Sequence, residues 1–363
     1  MKAKTKRTIG NIFASLIKND RAIEGAKTSP WWVAVILFLV GTFLPVIPIM
    51  TTAGNSYGSS FLKSYTYGYE QGLTSTCLSL QEDGYEFTIN ENKKLVLTKG
   101  TETISQTWVE ADGKTPDETA IASYTAIREG KSEIAFEIYY TDREYSKGTK
   151  TVNSLIKTIE AKQYVKDTTD LYVEVEGEEA PTLYTPSYLI LYKDGYYSKV
   201  YKTDTTTSNS NSYKGNNWSH FEINTKLLET TLNIEGLDKN ANDSNYVDAV
   251  KKAWSEVFNK GYLAQKQLNF WFSSGLYYGI YIILGLFMGL MIWLLTRGKK
   301  NPNRGLKLGT AIAISGWIDV TPGLLAMILA FIWTQAAGIA YIVLIGMRAM
   351  WLSMRQLNPQ TVQ

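Results

Sequence analysis

Residues Leu308–Met347 read LGTAIAISGWIDVTPGLLAMILAFIWTQAAGIAYIVLIGM, a run of 40 residues whose only charge is Asp319. The 27 residues of Phe270–Thr296 form a second run, with no charge at all, and Trp31–Met50 forms a third. A helix needs about 20 apolar residues to cross a bilayer core, so the first run predicts two spans and the others one each. Because backbone polar groups in hydrocarbon are satisfied only in helices or closed barrels, these runs predict transmembrane helices.

The charges of this 363-residue chain are segregated along the sequence. Residues 1–30 carry seven Lys or Arg against two acids, whereas residues 51–269 carry 23 against 31 acids. Residues 297–307 hold five Lys or Arg and no acid. Lys and Arg near span ends are retained on the cytoplasmic side. Both termini are therefore predicted to be cytoplasmic and residues 51–269 extracytoplasmic, which requires an even number of spans.

The predicted fold is a four-span α-helical bundle with an inserted extracytoplasmic α+β domain. A cleaved signal peptide is disfavoured for the first span, because a long leader precedes it and only Thr51-Thr52-Ala53 offers a small-residue cleavage site. The predicted segments are a cytoplasmic amphipathic leader helix (1–30), span 1 (31–50), the extracytoplasmic domain (51–269), span 2 (270–296), a basic cytoplasmic loop (297–307), a hairpin of spans 3 and 4 (308–352) and a cytoplasmic tail (353–363).

The leader has apolar residues at helical spacing, including Ile9, Phe13 and Ile17, with Lys and Arg on its polar side. Such a helix is predicted to lie on the inner leaflet, where each cation near anionic lipid contributes roughly 1 kcal/mol. A helix packed on a partner protein would show the same pattern. The single cysteine, Cys77, excludes an internal disulfide.

Alternating β-branched and aromatic residues predict half-buried strands in the extracytoplasmic domain. Asp194-Gly195 predicts a two-residue hairpin turn. We interpret Thr51–Gly72 as a linker, Thr151–Val165 as a helix and Thr203–Ser219 as an exposed loop. The predicted strands are Tyr85–Ile89, Lys94–Thr98, Thr103–Val109, Glu133–Tyr140, Leu171–Glu176, Ser187–Lys193 and Tyr196–Thr203.

The second span has two features that concern helix continuity and packing. No proline separates the predicted N-cap Asp243 from Thr296, so one helix could lead from the outer domain through this span. A break near Gly261 is the alternative, since an isolated glycine costs about 1 kcal/mol in a helix.

Four glycines of the second span fall within about 120° of arc and predict a packing face, for the bundle in preference to a homodimer. They are Gly275, Gly279, Gly285 and Gly289.

Asp319 is the candidate functional residue, because it is predicted to lie near mid-membrane. A carboxylate there costs about 2.5–3.5 kcal/mol and needs a partner, a proton or a water-lined cavity. Pro322 and Gly323 loosen the helix, so Asp319 is interpreted first as the cap of a broken helix. A proton site, a substrate site or an anchor for a partner's cation is the alternative. Arg348 is expected to extend to the membrane interface instead.

The sequence lacks the residue patterns of most catalytic chemistry. His220 is the only histidine and is expected in an exposed loop. One His and one Cys cannot form a zinc cluster, and no phosphate-binding glycine motif follows a strand. We therefore predict no catalytic residue, no metal site and no cofactor, and the acidic outer domain argues against nucleic acid. The 20 tyrosines among residues 51–269 suit a sugar or peptide ligand, but tyrosine is also an ordinary strand residue.

A few local features occur together in one known family. They are the region Asn11–Pro48 with Leu44-Pro45 near its end, the run FTINENKKLVL (Phe87–Leu97) and Thr321-Pro322-Gly323 before an apolar helix. In these features the chain resembles bacterial integral membrane proteins labelled maltodextrin-utilisation proteins. It departs from them in its longer outer domain and in Asp319. The resemblance implies a non-enzymatic protein linked to carbohydrate uptake and supplies no site residues.

The leading hypothesis is a non-enzymatic accessory or scaffold subunit of a transport system in the bacterial plasma membrane. Its expected partners are the lipid bilayer and the transporter subunits. Two alternatives remain open at this point. One is an extracytoplasmic ligand sensor that couples to a membrane partner, and the other is a small transporter in its own right.

Overall fold

A computed structural model shows mixed helix and sheet and divides the chain into two compact units. The helical unit comprises Met1–Asn55 and Gln267–Gln363, and the inserted unit comprises Ser56–Lys266. The structure describes residues 3–63, 68–105, 120–128, 130–144, 149–172, 181–201, 210–215, 217–299, 301–333 and 337–357.

Ten α-helices are found among these residues, and apolar runs form the long ones. They are α1 (Ala3–Ser15), α2 (Asn19–Thr28), α3 (Trp31–Phe43), α4 (Ile47–Gly54), α5 (Tyr69–Glu82), α6 (Thr149–Ala161), α7 (Leu227–Leu232), α8 (Ser244–Leu295), α9 (Leu308–Ile332) and α10 (Ala337–Leu352). In the described part of the chain, four helical stretches are long and apolar enough to cross a membrane. They are Trp31–Gly54, Ser244–Leu295, Leu308–Ile332 and Gly338–Leu357.

The first of these stretches continues past its prolines. A 3-10 turn at Leu44–Val46 joins α3 to α4, and Pro45 and Pro48 each lie in the first turn of a helical segment. A proline is tolerated there because its missing N–H would have no partner inside the helix. The helix predicted over residues 31–50 therefore continues through both prolines to Gly54.

The 52 residues of α8 form one uninterrupted helix, so the structure has the continuous helix and lacks the alternative break near Gly261. The inserted unit explains the glycine. A methyl group built on Gly261 would lie 3.0 Å from the ring of Tyr196, so the small residue makes room for an aromatic side chain. Packing against Tyr196 thus explains why residue 261 is a glycine, and this packing outweighs the lower helix propensity of glycine.

The inserted unit is built on a five-stranded mixed sheet. Its order is β10-β9-β8-β5-β4, in which β5 and β8 are parallel, α6 lies between them in sequence, and the other pairs are antiparallel. A three-stranded sheet, β1-β2-β3, and the pair β6-β7 complete it. The strands are β1 (Tyr85–Ile89), β2 (Leu95–Lys99), β3 (Glu102–Ile104), β4 (Ala122–Arg128), β5 (Lys131–Thr141), β6 (Tyr164–Val165), β7 (Leu183–Tyr184), β8 (Ser187–Tyr192), β9 (Gly195–Tyr201) and β10 (Ser210–Gly215).

Both faces of the five-stranded sheet are covered. Phe136 and Leu191 face a large core that includes residues of α5, α7 and α8, whereas Tyr139 and Ile190 face a smaller core with α6. Successive residues of a strand point to opposite faces, so a strand buried on both sides is apolar throughout. All six residues of β8, SYLILY, are buried accordingly.

Several local predictions hold and others need correction. The strands at 85–89, 94–98 and 133–140 are confirmed within one or two residues at each end. The predicted hairpin is also confirmed, but Gly195 pairs with Tyr192, so the turn is Lys193-Asp194 instead of Asp194-Gly195. Neighbouring backbone holds this turn, since Lys193 donates to the carbonyl of Arg143 and accepts from Leu95.

Two loop predictions were wrong. The predicted linker 51–72 contains the end of α4, a 3-10 turn at Ser60–Lys63 and the start of α5. The predicted loop 203–219 contains β10, which pairs with the edge of β9. The helix predicted over 151–165 ends at Ala161, where β6 soon follows. Residues 106–109, 173–176 and 202–209 of the predicted strands and loop lie outside the described residues.

Candidate functional site

Asp319 lies inside the helical unit with none of its surface exposed. The hydroxyl of Tyr341 donates to Oδ1 of Asp319 at 2.6 Å. The other carboxylate oxygen, Oδ2, is buried without a hydrogen-bond partner among the described residues. The ring of Tyr341 packs in turn against that of Tyr281, with centroids 4.6 Å apart. The candidate carboxylate is therefore held at one oxygen only, by a phenol from α10.

The expected break in α9 is absent, since the helix runs from Leu308 to Ile332 with Pro322 inside it. Asp319 accordingly accepts its hydrogen bond from a side chain and does not cap a second helix segment. A proline in a helix interior has no N–H for the carbonyl four residues earlier. In α9 that carbonyl belongs to Ile318, and it needs another donor because a buried unpaired carbonyl is costly.

Arg348 supplies that donor. Its Nη1 donates to the carbonyl oxygen of Ile318 at 2.8 Å. Its Nε donates to Oδ1 of Asn19 at 3.1 Å, and its Nη2 donates to the carbonyl of Ser15. The guanidinium thus connects α9 and α10 to the turn between α1 and α2. Three polar side chains of α9 and α10, those of Asp319, Tyr341 and Arg348, thus form hydrogen bonds close to Pro322 in the helical unit.

The turn between α1 and α2 is attached to α9 at a further point, since Oγ1 of Thr321 donates to the carbonyl of Leu16 at 2.7 Å. After this turn in the sequence, α2 packs closely on α9, and a methyl group built on Gly25 would lie 2.5 Å from the ring of Trp317. The leader is therefore two helices with a turn between them, where one amphipathic helix was expected. Ile17, at the turn, is 88 % exposed.

Three glycines allow α3 and α9 to touch through their backbones. A methyl group on Gly316 would lie 2.6 Å from the carbonyl oxygen of Ala34, and one on Gly323 would collide with the carbonyl oxygen of Gly41. A methyl group on Gly41 would in turn lie 2.8 Å from Oδ2 of Asp319. The close approach of the two helices thus encloses the unpartnered oxygen of the candidate carboxylate.

The predicted glycine face of α8 divides into two halves. A methyl group on Gly289 would lie 2.9 Å from Cα of Ile312, and one on Gly285 would collide with the ring of Phe38. Gly275 and Gly279 have no neighbouring atom within 4 Å of such a methyl group. The first pair therefore contacts α9 and α3 inside the chain, and the second pair faces open space.

Gly41, Gly316, Tyr341 and the role of Arg348 were missed in the sequence, although one signal was available. Pro322 identifies Ile318 as the carbonyl that loses its donor. In an antiparallel pair of the helices Leu308–Ile332 and Ala337–Leu352, positions 318 and 348 lie within about one helical turn of each other. Arg348 is the single cation of α10, so it was the candidate donor.

The inserted unit contains buried polar groups but no metal site among its described residues. The described part of the chain holds no group of three or more His, Cys, Asp or Glu that could bind a metal ion. His220 lies exposed in a turn, as expected. Among the tyrosines of this unit whose side-chain burial the structure describes, only Tyr57 is exposed, and many of the others pack in the two cores. Tyr65 and Tyr67 lie outside the described residues.

The chain therefore combines a mixed helix-and-sheet unit with four helices long and apolar enough to cross a membrane. Comparison with family models, with curated proteins and with solved structures gives no match to this chain.

Proposed function

We propose that the chain is a four-span protein of a bacterial plasma membrane, with an extracytoplasmic inserted unit and cytoplasmic termini. The observation that supports this most is the distribution of exposed hydrophobic side chains. Trp271, Phe272 and Ile283 of α8 are between 66 % and 70 % exposed, and exposed large hydrophobic residues also follow α3, α9 and α10. Surfaces of this extent mark contact with a membrane or another protein. Lipid covers them in the proposed arrangement.

The orientation follows from the basic residues. Residues 1–30 and residues 297–307 carry the Lys and Arg clusters that flank the proposed spans. Cations in short flanking segments stay on the cytoplasmic side. The termini and the 297–307 loop are then cytoplasmic, and Ser56–Lys266 is outside.

Labelling with a membrane-impermeant maleimide in intact cells tests this topology. Cys77 is fully buried, and burial raises the pKa of its thiol, so the wild-type chain should remain unlabelled. Glu235→Cys and Lys299→Cys place thiols at exposed positions. Glu235→Cys should be labelled in intact cells and Lys299→Cys only after permeabilisation. The reverse pattern would exclude the proposed topology.

The proposed role is that of a non-enzymatic accessory or scaffold subunit of a transport system. Two observations support it. The sheet of the inserted unit is filled on both faces, so its recognition surfaces are its exterior loops and edges, as in a protein that binds another protein. The helical unit presents further apolar surface, which can pack on a permease as well as on lipid. The carbohydrate class of the transport system is proposed from the resemblance to maltodextrin-utilisation proteins.

Crosslinking in native membranes, followed by purification in a mild detergent, tests the accessory role. We expect subunits of a transporter to be crosslinked through both units. Recovery of the chain alone, from membranes in which a known transporter complex stays intact, would exclude the role.

A sensor is the second candidate, and the uninterrupted α8 favours it. Residues 244–266 of this helix belong to the inserted unit and residues 267–295 to the helical unit. One helix shared by two units offers a route for a conformational change. Spin labels at Asp238 in the inserted unit and Lys299 in the helical unit should then change their separation when a ligand binds. An unchanged distance distribution with bound ligand would exclude this candidate.

A further inference from the structure

An open groove with a volume of about 270 Å³ lies between α9 and α10, beside the turn that joins α1 to α2. Pro322 and Leu325 of α9 form one wall. Leu344, Met347 and Trp351 of α10 form the other. Leu325, Met347 and Trp351 are among the exposed large hydrophobic residues, so the groove opens on the apolar surface of the helical unit.

The polar side chains that line the groove are already bonded within the protein. Thr321 donates to the carbonyl of Leu16, and Arg348 donates to Asn19. An apolar cavity binds apolar ligands better than water, because water there finds few hydrogen-bond partners. The interior of the groove therefore suits hydrocarbon.

Two cations are adjacent to residues that line the groove. The guanidinium of Arg355 stacks over the ring of Trp351 at 4.2 Å from its centroid. Lys18 is exposed and precedes Asn19, which lines the groove together with Arg348. None of the ion pairs between described residues includes Lys18, Arg348 or Arg355.

Two acids lie near these cations, but neither forms an ion pair among the described residues. Asp20, which follows Asn19, is exposed, whereas Asp319 is buried and bonded to Tyr341. Lys18 and Arg355 thus remain exposed cations adjacent to lining residues of an apolar groove. This combination matches a molecule that joins a hydrocarbon chain to an anionic group.

We propose that the groove binds one anionic glycerophospholipid, with an acyl chain between α9 and α10 and its phosphate near Arg355 and Lys18. The inference depends on the proposed membrane location, because that location supplies the lipid. In the proposed membrane location, Leu325, Met347 and Trp351 face bilayer lipid. The molecules nearest to the groove are then the acyl chains of lipids. The two cations then select lipids by headgroup charge.

Quenching of Trp351 by brominated lipid tests the inference on the full chain reconstituted in vesicles. Vesicles would contain equal mole fractions of either acyl-brominated phosphatidylglycerol or acyl-brominated phosphatidylcholine. The chain has ten tryptophans, so the contribution of Trp351 is the difference between wild type and Trp351→Phe. We expect brominated phosphatidylglycerol to reach half-quenching at an about thirtyfold lower mole fraction, as two cations near the headgroup would give. Equal quenching by both lipids would overturn the inference.

Two matched pairs of variants locate the lipid, each read against its own Trp351→Phe version. Leu325→Phe fills the groove, whereas Leu329→Phe adds the same ring one turn further along α9, at an exposed position outside the lining. Only Leu325→Phe should abolish the preferential quenching. Arg355→Gln should reduce it, and Lys299→Gln should not. Identical behaviour within both pairs would overturn the inference.

The same vesicles separate this inference from the proposed membrane location. A chain that floats with the vesicles and resists alkaline carbonate extraction is inserted, whatever its lipid preference. Insertion without preferential quenching would overturn the lipid site alone. Extraction by carbonate would overturn the membrane location, and the lipid site with it.

Discussion

The inserted unit and the helical unit differ in where their large hydrophobic side chains lie. Among the described residues of the inserted unit, the exposed ones are only Tyr57, Ile127, Leu171 and Ile223. In the helical unit they extend along every long helix. The large hydrophobic side chains of the inserted unit thus have the distribution that results when the burial of apolar area drives folding in water.

In the membrane location proposed above, a different set of interactions must hold the helical unit together. Lipid is as apolar as leucine, so helices in a bilayer gain little by burying leucine against each other. Close backbone contact and buried hydrogen bonds replace that gain. The contact of Gly41 with Gly323 and the three hydrogen bonds of Arg348 are interactions of this kind. Substitutions of the same chemical type should therefore have unequal effects in the two units.

The largest expected effect is that of removing a buried ring from the inserted unit. Phe136 is fully buried and packs edge-on against Tyr69, with ring centroids 4.7 Å apart. Phe136→Ala should lower the free energy of unfolding by about 3–5 kcal/mol. Phe287 on α8 is 49 % exposed, and Phe287→Ala should change it by about 0.5 kcal/mol or less. Thermal unfolding in one detergent measures both, and equal losses would contradict the distinction between the units.

The next effect is the loss of the guanidinium that replaces the donor missing at Pro322. Arg348→Met leaves the carbonyl of Ile318 without a donor, at a cost of about 1–3 kcal/mol. Pro322→Ala restores a backbone N–H at the position that reaches this carbonyl. The double variant should therefore recover part of the loss, which a double-mutant cycle of unfolding free energies would show. Strictly additive effects would mean that Arg348 does not serve the carbonyl freed by Pro322.

An effect of similar size is expected where α3 meets α9. Gly323→Ala should destabilise the helical unit by about 1–3 kcal/mol, because the new methyl group collides with the carbonyl of Gly41. Gly279→Ala meets no neighbouring atom and should stabilise α8 by up to about 1 kcal/mol through its higher helix propensity. Opposite shifts of the unfolding temperature are thus expected from one substitution type. Shifts of the same sign would exclude the close α3–α9 contact.

The two units were also unequally predictable from the sequence. The long helices were predictable because their length and lack of charge are properties of a contiguous run. The contacts that join those helices were not, because Tyr341 lies 22 residues from Asp319 and its hydroxyl shows no periodic pattern. The hydrogen bonds of Arg348 were not predictable for the same reason, since they reach the turn between α1 and α2 at the opposite end of the chain.

In the inserted unit, strands with regular alternation were predictable and elements set by packing were not. The sequence of α5, YEQGLTSTCLSLQE, contains a glycine and several Ser and Thr residues, which are weak helix formers. This segment is nevertheless helical, because its buried residues, such as Leu73 and Cys77, pack in the main core. The strand β10, SNSYKG, likewise has no strand preference of its own and pairs with the edge of β9.

The smallest expected effect is a pH dependence confined to the inserted unit. Glu86 accepts hydrogen bonds from the backbone N–H groups of Leu228 and Glu229 at the start of α7, at 2.7 and 3.0 Å. Burial nevertheless raises the pKa of Glu86 above its ordinary value of 4.5, so the folded chain binds this proton more tightly than the unfolded chain. Stability should then fall as pH rises from about 4.5 through the folded pKa, and stay level above it. Glu86→Gln should remove this slope from unfolding midpoints measured across that range, whereas Glu235→Gln, at an exposed position, should retain it. A slope that persists in Glu86→Gln would assign the proton to another group.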